Sequence, residues 1–211
     1  MGCAGAPEPA PTPPEAGPGY PTELVAPAAL PGDWVLEQEV EVTHAEGTNT
    51  FRGVVQKRGD ELVLLVLGPA SRPALTLTQR RTDVEVALHA PVRLPFPARY
   101  MLHDVQRAWL RPAVAPAAER VVSGEHVRET WADGRLTSRR FERVDGQPAG
   151  ILEVSYAGGL APGAMVPGET WAPPAEATLV NGWFGYTLRI RNVAAHPLAG
   201  AASSDEGSDA R

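Results

Sequence analysis

A chain of 211 residues can fill one sizeable core, or one domain with tails, and its ordinary apolar fraction points to a soluble globular body. A net charge of −6 argues against a general nucleic-acid binder, and no run approaches the roughly 18 apolar residues of a membrane helix. The lone cysteine excludes an internal disulfide and a cysteine-based zinc site.

Residues 1–32 are mostly Pro, Ala, Gly and Glu, with Leu24, Val25 and Leu30 as the larger aliphatics. Such a stretch cannot bury enough apolar area to offset its ordering entropy, and its prolines favour extended conformations. It reads as a disordered, semi-stiff tether. Residues 197–211, "PLAGAASSDEGSDAR", read as a disordered acidic tail, which leaves 33–196 as the organised domain.

The domain begins with alternation. In "WVLEQEVEVTH", Leu36, Val40 and Val42 share one face and Glu37, Glu39 and Glu41 the other, which is a half-buried strand. "TNTFRGVVQKR" and "DELVLLVLG" follow, joined by a tight turn at Arg58-Gly59-Asp60. The turn accounts for this adhesion-like tripeptide without a binding role. "PALTLTQ" places Leu75 and Leu77 on one side, and "TDVEVALH" places Val84, Val86 and Leu88 inward. Short connections predict an antiparallel meander of five strands. "ELVLLVL" is apolar on both faces, so something is expected to cover its second face. The cover is expected from "PARYMLHDVQRAWL", which predicts a helix with Pro97 in its first turn, an apolar stripe at Met101, Val105, Ala108 and Trp109, and a stop at Pro112.

Strands resume after the helix. "HVRETWAD" and "RLTSRRFERVD" flank Asp133-Gly134, "RFERVD" and "GILEVSYA" flank Asp145-Gly146, and "ATLVN" and "FGYTLRIRNV" flank Asn181-Gly182. Such pairs suit hairpin turns. In the last strand Tyr186, Leu188 and Ile190 face inward. About ten strands and one helix predict a mainly β (α+β) fold, a strongly curved antiparallel sheet or incomplete β-barrel, because so many twisted strands rarely stay flat.

Reactive patterns are scarce. No nucleophile elbow, phosphate-cradling loop or H-E-x-x-H motif occurs, and no cofactor or metal is expected. His126 and Glu129 lie on a strand that points them to opposite faces, and His103 and Asp104 read as ordinary solvated neighbours on the helix. A lipid hydrolase would need Ser123, Ser138 or Ser155 within hydrogen-bond reach of a histidine. Of the five tryptophans, Trp34, Trp109, Trp131, Trp171 and Trp183, some fill the core and some could line an apolar cavity.

Cys3 lies in "Gly-Cys-Ala", the surroundings of the cleavage point of a bacterial lipoprotein signal. That reading makes Cys3 a lipidation site followed by a flexible spacer; the preceding apolar signal region is not part of this chain. The rival anchor, N-myristoylation at Gly2, wants Ser or Thr at position 6 and meets Ala6. Two lipid chains would give stable anchoring.

Three stretches, "TNTFRGVVQKRGDELVLLVLGPASRPALTLTQRR", "LPFPARYMLHDVQRAWLRP" and "WFGYTLRIRN", resemble a family of uncharacterised bacterial lipoproteins with a domain of unknown function. Its most telling part is Leu-Pro followed by a helix carrying Asp104, Gln106, Trp109 and Pro112. The resemblance spans about residues 34–195. That family looks related to the LolA/LolB lipoprotein carriers, which implies a curved open sheet with a helical lid over an apolar cavity. LolB also carries a loop with an exposed leucine; the corresponding "GPASRP" has no large apolar tip.

The resulting expectation is a non-enzymatic lipoprotein on the periplasmic face of the bacterial outer membrane, anchored through its N-terminal lipid. It would bind lipid or lipoprotein acyl chains in a cavity walled by Phe51, Leu64, Leu75, Leu77, Val86, Met101, Val105, Trp109, Tyr186 and Leu188. The alternative is a structural or assembly factor of the envelope with a filled core and a protein partner. A connected apolar space of a few hundred Å³ would favour the first.

Overall fold

The computed structural model describes residues 20, 22–91, 94, 96–111, 119–161 and 173–198. Among the described residues, eleven strands form one antiparallel sheet. They are β1 (Trp34–His44), β2 (Gly47–Arg58), β3 (Glu61–Leu67), β4 (Pro73–Arg80), β5 (Asp83–Leu88), β6 (Arg120–Val122), β7 (Glu125–Ala132), β8 (Arg135–Arg143), β9 (Ile151–Leu160), β10 (Glu176–Asn181) and β11 (Tyr186–Pro197). Their order is β5-β4-β3-β2-β1-β11-β10-β9-β8-β7-β6. Two meanders are therefore joined where β1 meets β11, and the sheet is open, with β5 and β6 as its edges. It is strongly curved around one helix, α1 (Tyr100–Val105), whose last turn, Gln106–Leu110, widens so that Arg111 N–H reaches the Gln106 carbonyl at 3.0 Å.

The alternation predicted for the first strand is realised: Trp34, Leu36, Gln38, Val40 and Val42 point into the cup. At the β7–β8 hairpin, Asp133 (φ 50°) and Gly134 (φ 71°) both take the left-handed backbone that a two-residue turn demands. Register slips bend the ladder, most sharply between Leu136 and Ser138 of β8, which pair with Leu160 and Ser155 of β9.

Several expectations are corrected. The tether does not run to residue 32: Tyr20, Leu24, Pro27 and Leu30 are buried, and the chain from Thr22 to Gly32 crosses the helix as a strap. The earlier residues lie outside the described set, as does the tail beyond Leu198. Pro197 pairs with Trp34 in the sheet, and Leu198 N–H reaches Asp33 O at 2.8 Å. β6 is an additional strand, too short for periodicity to betray. The helix does not cover the second face of β3: Leu62, Leu64 and Val66 face it, while Val63, Leu65 and Leu67 are half-buried on the outer side. There Val54 and Thr76 flank Leu65 on the neighbouring strands, so cross-strand side chains do part of the covering. Val86 and Leu88 share the inner face with Leu77 and Leu75, yet are 44 % and 52 % exposed, because among the described residues no further strand lies beside β5. Finally, His103 and Asp104 are buried, since the helix is enclosed on all sides.

Candidate functional site

The hollow between sheet and helix is almost filled. Its remaining cavity has a volume of about 40 Å³. That is room for about one water molecule, against the roughly 300–1,000 Å³ of a small-molecule site. The open cup expected from the sequence is thus closed in this structure, by α1 and its flanking residues.

Of the ten wall residues expected, Phe51, Leu64, Met101, Val105, Trp109 and Leu188 line this cavity. Leu75, Leu77 and Tyr186 are buried but do not line it, and Val86 stands at the sheet edge. Cys3, Pro112 and Trp171 lie outside the described residues. Sequence reasoning missed Gln38, Val40, Val42, Gly53, Leu94, Phe96, Asp104 and Ile190 on the wall. The parity of β1 and β11 could have found Val40, Val42 and Ile190. Leu94 and Phe96 sit in a proline-rich connection with no periodic signal.

Polar groups cluster on the helix. Asp104 accepts hydrogen bonds from Tyr20 OH (2.6 Å) and from Tyr186 OH, and Asn181 Nδ2 donates to Tyr186 OH at 2.8 Å. Burial pushes the Asp104 carboxyl up to about 6, against the opposing pull of the Tyr186 and Tyr20 hydroxyls and the Arg107 charge. Burial, reinforced by Asp104, raises both phenols well above their usual value, so they remain donors. His103 stacks on Tyr20 with ring centres 4.3 Å apart. Burial, then the charges of Arg107, Arg99 and Arg111, pulls its imidazole down to about 3, and it is neutral at physiological pH.

Gln106 and Gln79 together clasp the backbone of one strap residue, Val25. Val25 N–H donates to Gln106 Oε1 at 2.7 Å, and the Val25 carbonyl accepts from Gln79 Nε2 (2.9 Å) and Gln106 Nε2 (3.0 Å). The two glutamines also bond each other at 3.0 Å. Below them Arg107 is buried against Glu125, which also takes Arg111 at 3.2 Å. The Arg107 guanidinium lies 4.5 Å from the Tyr20 ring centre and 5.2 Å from that of Trp183, within cation–π range. Arg139 closes the helix end by donating to Arg111 O at 2.7 Å and pairs with Glu129 at 3.0 Å.

A larger concavity of about 960 Å³ opens on the outer face of β1, β2, β10 and β11. Its charges cancel pairwise, Glu39 with Arg191 and Glu41 with Arg189, so it offers little net field to a charged ligand. Among the described residues, no hydrogen bond joins Ser123, Ser138 or Ser155 to a histidine, and no group of three His, Cys, Asp or Glu is placed to hold a metal ion.

Three solved structures are similar to this chain. A LolA superfamily protein of Nitrosomonas europaea is 11 % identical with a TM-score of 0.46, over 82 % of this chain and 90 % of its own. A candidate outer membrane lipoprotein-sorting protein domain of Vibrio parahaemolyticus is 10 % identical, with a TM-score of 0.45 over 82 % and 88 %. A DUF1329 family protein of Desulfovibrio piger is 9 % identical, with a TM-score of 0.34 over 82 % and 88 %. No curated protein matches the chain in sequence. A family model described as a protein of unknown function, DUF3261, matches residues 35–194, and the chain belongs to that family.

Proposed function

We propose that the protein is a non-enzymatic lipoprotein of the bacterial envelope that binds an acylated or otherwise apolar ligand between α1 and the sheet. The observation that carries this reading is the cavity behind the helix. Its wall is apolar apart from Gln38 and Asp104, and Trp109, which lines it, has a buried indole N–H with no hydrogen-bond partner. Burial of a chain against such a wall contributes about 25 cal/mol per Å² without needing specific polar contacts. The Gly-Cys-Ala surroundings of Cys3 support a lipid anchor there, and the proposed site of action is the periplasmic face of the outer membrane. Uptake into so small a cavity requires α1 to move.

Native mass spectrometry of the protein isolated from membranes, with titration by a fluorescent fatty acid, tests this. Bound lipid and saturable uptake are expected; the absence of both refutes it.

The small volume of the cavity favours a second reading, an envelope assembly factor with a permanently filled core. That reading predicts a dry interior under every ligand tried and a protein partner recovered by crosslinking in intact cells.

A further inference from the structure

The strap has the features of a separate, releasable element. It adds no rung to the sheet. At its centre the N–H and C=O of Val25 are held by the side chains of Gln79 and Gln106, and its outer end is held by the Tyr20 hydroxyl on Asp104. The Val25 side chain is 37 % exposed. The other end is pinned: Lys57 Nζ donates to Gly32 O at 2.5 Å and pairs with Asp33 at 3.1 Å, where β1 begins. The segment can therefore swing from Gly32 without disturbing the ladder.

Its seat matters as much as its attachments. Along α1, Met101, Val105 and Trp109 face the cavity. His103, Gln106 and Arg107, half a turn away, face the strap through ring stacking, hydrogen bonds and a cation–π contact. The helix is thus held between the hollow and the strap, and it cannot leave the cup while the strap is seated.

We infer that the strap segment Thr22–Leu30, tied at its outer end through Tyr20, is a latch: seated, it keeps the helix in the cup, and released, it lets the helix withdraw and the cavity enlarge to admit an apolar guest. This rests on the carrier reading of the cavity. Opening is a local equilibrium that breaks these hydrogen bonds and exposes Tyr20, Leu24, Pro27 and Leu30 while leaving the sheet ladder intact. Removing one of those bonds raises the open population by roughly fivefold.

The test uses the full chain and the uncharged apolar dye N-phenyl-1-naphthylamine. Val25→Pro deletes the N–H given to Gln106 and touches no cavity residue. Tyr20→Phe deletes the hydroxyl given to Asp104 and keeps the ring, so a folding failure in one variant leaves the other. Deuterium exchange over 22–30 reports the latch, and exchange over β1 and β11 reports the fold. The expected result is faster exchange in 22–30 alone, with dye uptake faster by roughly fivefold for each bond removed. If the segment loosens and both wild type and variant take dye at the same rate, the latch is refuted and the carrier stands. If the segment loosens and neither takes dye, the carrier reading fails and the latch with it. If neither variant loosens 22–30, these bonds do not hold the segment and the latch is refuted.

Discussion

Replacing Asp104 with asparagine should change how stability depends on pH. The carboxyl sits against Tyr20, Tyr186 and the Arg107 charge, is fully enclosed, and titrates at about 6 instead of 3.8. Its folded value lies above its unfolded one, so the native state holds an extra proton between about pH 4 and pH 6. The stability from this group is full below pH 4 and is lost as pH rises through 6. A shift of this size corresponds to about 3 kcal/mol. Neighbouring His103 has the opposite sign. Its folded value is about 3 against 6.5 unfolded, so its contribution is full above pH 6.5 and is lost on acidification. The two partly mask each other in the wild type, and the Asp104→Asn difference separates them. Asparagine can accept from only one of the two phenols, a pH-independent loss of about 1 kcal/mol. Urea unfolding of both proteins from pH 4 to pH 8, followed by fluorescence of the buried tryptophans, measures the difference. The stability of wild type relative to Asp104→Asn should fall by about 3 kcal/mol between pH 4 and pH 7. Parallel curves would refute the assignment of a strained, buried carboxyl.

Glu125→Gln strands the fully enclosed Arg107 and should cost about 3–5 kcal/mol, whereas Glu37→Gln, in an exposed pair with Arg52, should cost under about 1 kcal/mol. Equal losses in chemical denaturation would contradict the burial assigned to these pairs. Leu77→Ala, at a fully buried site, should cost about 2–5 kcal/mol, while Val86→Ala, one strand over on the same face, should stay within about 1 kcal/mol. Gly182→Ala should destabilise more than Gly134→Ala in thermal melts. A Cβ at 182 would lie 2.6 Å from the Ile151 carbonyl oxygen, so backbone must move, while the Gly134 site is open and carries only the cost of its positive φ, about 1–2 kcal/mol.

The strands were legible because a half-buried sheet imposes a period of two on any sequence that folds into it. Leu36, Val40 and Val42, or Tyr186, Leu188 and Ile190, declare their face from spacing alone, and Asp133-Gly134 declares its turn. The helix stripe at Met101, Val105 and Trp109 was legible for the same reason, and with Phe51, Leu64 and Leu188 it forms part of the cavity wall. What spacing cannot carry is how a curved sheet distributes cover. Val86 and Leu77 follow the same pattern, yet one lies on the edge strand β5 and the other is fully buried on β4, paired on both sides. Nor does composition reveal the strap. Proline-rich sequence lowers the prospect of self-supporting structure, but Tyr20 and Val25 are ordered by partners some 80 residues away, Asp104 and Gln106. The sequence by itself therefore determined the strands, the turns and which side of each faces inward, since those depend on neighbours along the chain. Only the tertiary structure decided that the cup is filled, that Asp104 and His103 are enclosed, and that a strap holds the helix down, because burial depends on what the rest of the chain brings to the other side.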